Sequence, residues 1–547
     1  MFQTILLSLT ATVSVIVIWN QLSKKVQDDI PFIPGPASDS FFTGNMHTLA
    51  AAPSDAAAIS YTKTHGGIVK LNGILGVSKH VLLISDPAAL RRLFGASTGQ
   101  WDSSSRNLAS IKSLFGPGVS AVEGADHIRQ RKFIVQALTP VQTRGMIDSV
   151  QDASQSMRRM LNKSCPGTKP VQLDMLHWAR RVALDSLTMF AFGVSLHAME
   201  KPEHAHDLLH TFDSMLEDCM GKTSEMQYFL RETAVAGIYP SLLGIAMTDM
   251  QFFRSTMGTT KRLTQFSEWV RKEREEMGSL GGGSDLLSSL YKANQAESAK
   301  SKLADHEIRA LIGMVLFAGH DTVSTTLAMF LNDMARYPTV QQRLREEINA
   351  KRAEIGGDEV KFSQDDYDSM PYLNAVLKES MRINPVLGQT FRTNRAADVL
   401  PLSEPILCTD GKMWSEIAVA GGTLVVIDIM GSNLREDVWG KDAREFRAER
   451  WLDSEEKVVP REKTPGMVYG SLLNFVAGNR TCPGWRIAIL ELQSFICDIV
   501  EGFKISAVPG NGEIVREFHG VSILKVAGKP VKGGEVPLIL EAIPGKA

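Results

Sequence analysis

The sequence predicts a mainly α-helical protein with a smaller β-rich lobe, an α+β class. Helical periodicity runs through most of residues 140–275, and residues 305–336 form the longest helical candidate. Residues 67–87 instead alternate apolar and polar residues around central glycines, which is typical of short antiparallel strands. The 547 residues are enough for one large domain or for about two to four ordinary ones.

Composition excludes several classes of protein. The net charge is −2 and charges of both signs are well mixed, so nothing indicates a nucleic-acid partner. No C-x-x-C pair occurs, and the widely spaced cysteines indicate neither a zinc site nor a disulfide framework. An odd, sparse count fits a reducing compartment. The cysteines stand at positions 165, 219, 408, 482 and 497.

The N-terminus predicts a membrane anchor over residues 1–22. Residues 2–19 carry no charge and are followed by Lys24 and Lys25. A helix of this length spans about 27 Å, just enough to cross the hydrocarbon core of a bilayer, and the lysines place its C-terminal side in the cytoplasm. A cleaved signal peptide is the alternative. However, no positive charge precedes the apolar run and no clear cleavage site ends it.

A stiff segment separates this anchor from the rest of the chain. Pro31, Pro34 and Pro36 disfavour helix and restrict the backbone. We therefore expect a basic, proline-rich hinge over residues 23–36 and a single domain over residues 37–547.

The stretch from Phe475 to Gly484 delivers one cysteine to the start of an apolar helix. Pro483 suits the first helical position, which would put Cys482 at the N-cap, facing free backbone N–H groups and the positive end of the helix dipole. That environment lowers the pKa of a thiol and favours thiolate, the form that ligates metal. Arg480 can meet an anionic group such as a carboxylate. The alternative is a buried free cysteine beside a loop.

The pattern Phe-x-x-Gly-x-Arg-x-Cys-x-Gly resembles the haem-binding loop of the cytochrome P450 family, with matches at Phe475, Gly478, Arg480, Cys482 and Gly484. The resemblance implies a haem b whose iron is held by the Cys482 thiolate, with Phe475, Arg480 and Gly484 at the cofactor. It covers nearly everything from Pro31 to the C-terminus. It also implies the fold of this family, in fungal members of the microsomal type.

The long helical candidate over residues 305–336 has an apolar middle and then turns polar. Asp305 can cap this helix. Asp321 and Thr322 lie in a helix that is expected to be buried, and burial of such polar side chains is costly unless they serve a function. The alternatives are a polar turn facing a water pocket, or a threonine hydroxyl bonded to a backbone carbonyl. The run from Ala318 to Thr322 resembles the oxygen-activating turn of the family. That likeness implies catalytic roles for Asp321 and Thr322, which would order water and relay protons.

Glu379 and Arg382 are three residues apart on one predicted helix face, where a surface ion pair is the default expectation. In this order the pair resembles the Glu-x-x-Arg brace of the family, and the resemblance implies Arg450 as its third member. Ala448 stands where the family usually has proline, so the turn before Arg450 is expected to be looser. These residues are expected to be structural.

Haem propionates need cations. The run from His127 to Arg131 resembles the family's helix that supplies two propionate partners, with histidine where many members have tryptophan. Arg392 matches a further propionate position. The alternative for this basic cluster is a solvated or reductase-facing surface, which we expect for Arg129 and Lys132.

The resemblance implies monooxygenation driven by NADPH. No flavin or nicotinamide motif occurs, so the electrons are expected from a separate membrane-bound flavoprotein, NADPH–cytochrome P450 reductase, with cytochrome b5 as an optional second donor. Together with the anchor, this implies a single-pass protein of the endoplasmic reticulum membrane whose catalytic domain is cytosolic.

The substrate is expected to be a lipophilic, poorly charged small molecule, because the segments that line the pocket by family position are apolar or small and polar. A terpenoid or another fungal secondary metabolite is the preferred class, with xenobiotics and fatty acids left open. These segments are 101–122, 205–250, 311–319, 386–391 and 518–524.

Two other classes of protein remain as alternatives. A haem-thiolate isomerase or peroxygenase needs no reductase, but it often lacks the acid–threonine pair that this chain has at Asp321 and Thr322. A non-enzymatic haem-binding sensor has no need for an oxygen-activating turn.

Overall fold

A computed structural model describes residues 30, 32–51, 56–74, 80–95, 100–220, 224–235, 250–278, 283–298, 301–452, 467–519, 521–529 and 533–546. The predicted anchor over residues 1–22 and the first part of the hinge, residues 23–29, lie outside the described residues.

The described chain is rich in helices, as the sequence predicts. The helices are α1 (Met46–Ala51), α2 (Ala56–His65), α3 (Pro87–Gly95), α4 (Ser105–Phe115), α5 (Gly124–Ala137), α6 (Pro140–Arg144), α7 (Ile147–Ser164), α8 (Met175–Phe192), α9 (Pro202–Met220), α10 (Glu225–Val235), α11 (Met250–Glu276), α12 (Leu286–Ala296), α13 (Asp305–Arg336), α14 (Pro338–Ile355), α15 (Gln364–Asp368), α16 (Pro371–Ile383), α17 (Ile429–Asn433), α18 (Glu436–Trp439) and α19 (Trp485–Gly502).

Short strands make up several small sheets. The strands are β1 (Ile68–Asn72), β2 (His80–Ile84), β3 (Trp101–Asp102), β4 (Val171–Asp174), β5 (Gln389–Asn394), β6 (Asp398–Leu407), β7 (Met413–Val419), β8 (Leu424–Asp428), β9 (Phe503–Ala507), β10 (Ile514–His519), β11 (Val521–Val526) and β12 (Pro537–Ala542). The largest sheet has the order β1-β2-β8-β5-β3, and the others are β4-β12-β9, β6-β7 and β10-β11.

The five-stranded sheet forms the core of the β-rich lobe. Strands β1 and β2 pair antiparallel with Ile68 opposite Ile84, which confirms the strands predicted within residues 67–87. Successive residues of β2 and β8 enter different apolar clusters, because side chains alternate between the two faces of a strand. Leu82 and Ile427 pack on one side of the sheet, and Leu83 and Val426 pack on the other.

The described part of the predicted hinge packs on this lobe. The N–H of Lys70 in β1 donates to the Pro34 carbonyl at 3.0 Å, and the N–H of Thr409 donates to the Phe32 carbonyl at 2.8 Å. Ile33 is buried in the apolar cluster of the sheet. The proline-rich segment is therefore part of the folded body here, because its carbonyls and its apolar side chain have partners in the sheet.

Helix α13 crosses the helical core with the bounds that the sequence predicts. It packs along α8, and 72% of its most apolar stretch is buried. Within the described chain it is the one helix long and apolar enough to cross a membrane, and core burial accounts for that composition. Asp305 is its first residue and Ala304 is the N-cap; the Ala304 N–H donates to the Glu307 carboxylate at 2.8 Å. Asp305 is therefore not the capping residue that the sequence suggested.

Gly319 allows α13 to approach α8 closely. A Cβ atom at Gly319 would lie 2.8 Å from Leu187 Cδ1, and Leu187 is itself buried, so it has little room to move aside. At Gly313, on the same helix, a Cβ atom would lie at an ordinary distance of 3.4 Å from Leu263 Cβ. Close helix packing is therefore a physical reason for a residue without a side chain at Gly319.

We expect Gly319→Ala to destabilise the protein relative to Gly313→Ala. Both changes gain helix propensity, worth about 1 kcal/mol, but only the first forces an extra methyl group into a packed contact, which costs about 1–3 kcal/mol. Thermal unfolding followed by circular dichroism compares the two variants. Equal melting temperatures for both would show that the contact with Leu187 relaxes without cost.

Candidate functional site

The cysteine loop is held by its own backbone. Two short 3₁₀ turns, Leu473–Phe475 and Gly478–Arg480, precede Cys482, whose N–H donates to the Phe475 carbonyl at 2.9 Å. Gly478 has a φ of +69°, and a Cβ atom there would lie 2.7 Å from the backbone oxygen of Phe94. A residue with a side chain could not occupy this position without moving α3, so the loop depends on this glycine.

The predicted position of Cys482 at a helix N-cap is wrong. Helix α19 begins at Trp485 and its N-cap is Gly484, because Pro483 and Gly484 form a turn ahead of the helix. Burial raises the pKa of the Cys482 thiol, while the Gly484 N–H and the Arg131 cation oppose this with smaller effects. The helix terminus therefore does not supply a thiolate here. A coordinated metal ion would, because it deprotonates a thiol outright.

Arg480 meets a carboxylate, as its position in the loop suggests, and that carboxylate belongs to the protein. Its Nε donates to Asp102 Oδ1 at 2.6 Å, and its two Nη atoms donate to the carbonyls of Val119 and Val122 at 3.1 and 2.8 Å. Both members of the ion pair are almost completely buried. These bonds use three of the five N–H groups of the guanidinium and leave two for another acceptor.

The other predicted propionate residues lie in the same electrostatic environment. Arg131 donates from Nη2 to the Thr481 carbonyl at 2.7 Å, beside Cys482. Burial lowers the pKa of Arg131, and burial together with the Arg480 cation lowers that of Arg392 to about 10. His127 is buried, and burial, followed by the Arg480 cation, lowers its pKa to about 4, so the ring is neutral. The structure therefore brings all four basic groups to the cysteine loop.

The acid–alcohol pair of α13 occupies a separate buried position. The Thr322 hydroxyl donates to the Ala318 carbonyl at 2.7 Å, which is the backbone bond that the sequence left as an alternative. Asp321 is buried, and its Oδ2 atom has no partner among the described residues. Within the described part of the chain, neither residue hydrogen-bonds to the cysteine loop. The pair is thus a polar group set into an apolar helix with spare hydrogen-bonding capacity.

Burial dominates the electrostatics of this helical turn. It raises the pKa of Asp321 to about 6, with the Arg180 cation acting in the opposite direction. The neighbouring His320 is buried, its pKa is lowered to about 3, and neither ring nitrogen has a partner within the described chain. Arg180 of α8 pairs with Asp213 of α9 at 2.8 Å. A carboxyl group with a pKa near 6 can exchange protons near neutral pH.

The predicted brace is present in full. Arg382 is completely buried and donates from Nε and Nη2 to Glu379 at 2.9 and 2.8 Å, while Arg450 Nε lies 3.4 Å from the same carboxylate. The Trp451 indole N–H also donates to Glu379, at 2.9 Å. The 3₁₀ turn Ala448–Trp451 places Arg450 there, so alanine in place of proline still allows the required geometry.

The brace continues to the cysteine loop through two asparagines. Arg382 Nη1 donates to the Asn433 carbonyl at 3.0 Å, and the Asn433 side-chain amide donates to Asn474 at 2.9 Å. Asn474, in the first turn of the cysteine loop, donates to the Met381 carbonyl at 2.7 Å. The loop that carries Cys482 is therefore bonded to the helix that carries the brace.

Arg129 is only partly solvated, with 22% of its side chain exposed, and it has an acidic partner. Arg129 makes two hydrogen bonds to Glu307, at 3.0 and 2.6 Å, and these bonds, the largest of the influences on Glu307, hold its pKa at about 2. Lys132 pairs with Glu297. Arg129 and Lys132 thus both meet acidic partners that are distant in sequence, and Arg129 links α5 to the start of α13.

Apolar side chains from three predicted pocket segments meet next to α13. The Phe317 ring lies 5.2 Å from Phe115 and 5.6 Å from Phe212, measured between centroids, and Phe212 stacks on His320 at 5.4 Å. Leu114, Met215, Leu316 and Val386 are buried as well. These segments form an apolar wall beside the polar turn.

Sequence reasoning missed three residues that shape these sites: Asp102, Arg180 and Asn474. Asp102 and Asn474 carry no local signal, since their partners lie far away in the chain. Arg180 and its neighbour Arg181 do carry one, because two consecutive cations interrupt an otherwise apolar helix and both are buried.

Comparison with known proteins agrees with this geometry. The family model for cytochrome P450 matches residues 34–529. Cytochrome P450 monooxygenase 81 of the fungus Postia placenta is 30% identical over 86% of this chain and 86% of its own length. Cytochrome P450 monooxygenase 91 of the same fungus is 29% identical over 93% of this chain and 94% of its own.

A relative from a second fungus covers the chain to a similar extent. Cytochrome P450 monooxygenase claW of Ampulloclitocybe clavipes is 27% identical over 93% of this chain and 92% of its own length. The family model spans the β-rich lobe, the central helix and the cysteine loop. With a match of this extent and relatives that align over nearly their whole lengths, the chain belongs to the cytochrome P450 family and is a monooxygenase of that family.

Proposed function

We propose that this chain inserts one oxygen atom of O₂ into a lipophilic small molecule, with electrons that start on NADPH and arrive through a separate reductase. The observation that carries the proposal is the cysteine loop with its surplus of cations, two of them buried and one half-buried. Arg131, Arg392 and Arg480 carry three positive charges, and Asp102 supplies one negative charge. Among the described residues, no carboxylate lies within ion-pair distance of Arg131 or Arg392.

The residues present fit a haem. Buried cations without anionic partners are costly, so the cluster suits a cofactor that brings two carboxylates. Family membership implies a haem with a cysteine thiolate, and we assign Cys482 as the iron ligand. Arg131, Arg392, Arg480 and the neutral His127 would hold the propionates. Phe475 and Gly484 flank the sulfur in the chain and would border the cofactor.

A bound haem supplies the oxygen-activating chemistry, and the residues of the chain supply orientation and protons. Asp321 is suited to hold a proton near neutral pH and to release it through Oδ2, which has no partner among the residues that the structure describes. The Thr322 hydroxyl can exchange its bond to Ala318 for one to water, and so pass that proton on. Glu379, Arg382 and Arg450 keep the loop in place.

The apolar wall around Phe317 supports a lipophilic, uncharged substrate, and the preferred class is a terpenoid or another fungal secondary metabolite. The uncharged run over residues 2–19 followed by lysines supports an endoplasmic reticulum protein with a cytosolic catalytic domain. The absence of a nicotinamide-binding motif from the sequence supports NADPH–cytochrome P450 reductase as the electron donor, with cytochrome b5 as an optional second one. A peroxygenase or isomerase is the second candidate, and the acid–threonine pair argues against it.

We expect Cys482→Ser to abolish the thiolate signature. The dithionite-reduced, carbon monoxide difference spectrum of membranes should show a strongly red-shifted Soret band for the wild type and none for the variant, because only thiolate ligation produces that shift. The matched control is Cys408→Ala, which removes a buried cysteine of the β6–β7 hairpin and should keep the band. A wild-type band at the position of histidine-ligated haem would refute the assignment of Cys482.

We expect Asp321→Ala combined with Thr322→Ala to lower the product formed per NADPH roughly 10²-fold, because the pair serves as general acid in proton delivery. Turnover driven by hydrogen peroxide should be spared, since peroxide already carries the required protons. Thr326→Ala is the control, because the Thr326 hydroxyl lies one turn beyond the pair and donates to the backbone carbonyl of Thr322. Undiminished NADPH-supported turnover in the double variant would show that the pair is not the proton relay.

The ionised carboxylate of the buried Asp321 should destabilise the folded protein above about pH 6. Burial raises its pKa to about 6, from 3.8 in an exposed chain, so the folded state binds the proton more tightly than the unfolded state does. Stability therefore falls as the pH rises from about 4 to about 6 and the group ionises. We expect Asp321→Asn to raise the free energy of unfolding by roughly 1–3 kcal/mol at about pH 8. This gain in the free energy of unfolding should shrink below about pH 6, where the wild-type carboxyl is protonated. Thermal unfolding of the wild type and the variant between about pH 4 and pH 8 measures the gain. A gain that does not depend on pH would contradict the raised pKa of Asp321.

A further inference from the structure

Asp102 lies at the centre of the basic cluster, and nothing in the sequence motifs points to it. Asp102 is part of β3 and is only 4% exposed. Its Oδ1 atom accepts hydrogen bonds from Arg480 Nε at 2.6 Å and from the Ser103 N–H at 2.8 Å. Burial alone raises the pKa of Asp102, but the bond and the charge of Arg480 outweigh it, so the net shift is downward. The group is therefore a carboxylate.

The position of Asp102 is set by the sheet. Strand β3 pairs with β5 so that Asp102 lies opposite Thr393, next to Arg392. The neighbouring Trp101 is anchored by its indole N–H, which donates to Asp398 at 2.8 Å. The carboxylate thus belongs to a rigid part of the β-rich lobe, and through Arg480 it connects that lobe to the cysteine loop.

The charges of the basic cluster do not cancel, and the cluster keeps a net positive charge. His127 is neutral, so the buried guanidinium groups of Arg392 and Arg480 and the half-buried one of Arg131 face one buried carboxylate, and two positive charges are left over. Arg395 also lies 3.6 Å from Asp102, but it is half exposed and shared with Glu123 at 3.5 Å, so water screens it. Two uncompensated charges are the number that the two propionates of a haem would neutralise.

We propose that Asp102 is a positioning residue of the haem site: it holds Arg480 in place and reduces the charge of the cluster to the value that two propionates balance. This inference rests on the proposed function, because it takes the anionic group in the cluster to be haem. Asp102 has no contact with the reacting atoms in the proposed role. It acts through Arg480, and its charge contributes to the field at the cofactor.

Removal of this charge should make the haem easier to reduce. A negative charge nearby favours the more positive, oxidised iron, so Asp102→Asn should raise the reduction potential. We expect the equilibrium constant for one-electron reduction to rise about tenfold, which corresponds to about 59 mV. Asp102→Glu keeps the charge and should stay close to the wild type. Asp126→Asn removes an exposed carboxylate next to His127 in sequence and should also have little effect, because water screens it.

The experiment is a spectroelectrochemical titration of the four holoenzymes, with haem content and the carbon monoxide difference spectrum recorded for each. A positive shift in Asp102→Asn alone, or loss of haem from Asp102→Asn but not from Asp102→Glu, supports the proposal. Unchanged potentials with an intact thiolate band overturn it and leave the proposed function standing. Equal shifts or equal haem loss in the Asn and Glu variants overturn it as well, because they indicate a purely structural role. A wild type without the thiolate band overturns the proposed function and this inference together.

Discussion

The buried ion pair between Arg382 and Glu379 is the interaction on which the arrangement of the site depends. Arg382 has no exposed surface, and its three nitrogens donate to Glu379 on the same helix and to the backbone carbonyls of Asn433 and Glu445, more than 50 residues further along the chain. A buried charge that loses its partner costs about 3–5 kcal/mol, so this arginine can be accommodated only when those parts come together. Because Asn433 and Asn474 extend the network, the cysteine loop is fixed by the same requirement.

Among the buried charges that are left incompletely matched, two groups coincide with the residues assigned to function. Around Arg480 the imbalance is positive, and it suits an anionic cofactor. On α13, one oxygen atom of Asp321 has no partner among the described residues, and burial raises the pKa of this carboxyl group towards neutrality. The brace has its hydrogen bonds within the protein, whereas these two groups have hydrogen-bonding capacity or charge left for a ligand, water or a proton.

Much of the fold could be predicted from the sequence, because its signals are local. Helix α13 has the predicted bounds, and β1 and β2 form the predicted antiparallel pair. Some expectations needed correction. Cys482 lies ahead of α19 because Pro483 and Gly484 form a turn there, which is a local effect. Arg129 instead pairs with Glu307, which is 178 residues away in the chain, and no local pattern records that contact.

The sequence by itself determined the family, the identity of the cysteine loop and the acid–threonine pair, because each is a run of neighbouring residues with a characteristic pattern. Only the tertiary structure decided that Arg480 meets Asp102, that Gly319 faces Leu187 and that Arg180 lies near Asp321. These pairs join residues that are more than a hundred positions apart in the chain, and no local pattern records such a contact. The charge left at the cysteine loop is likewise a sum over segments, so it exists only once the chain has folded.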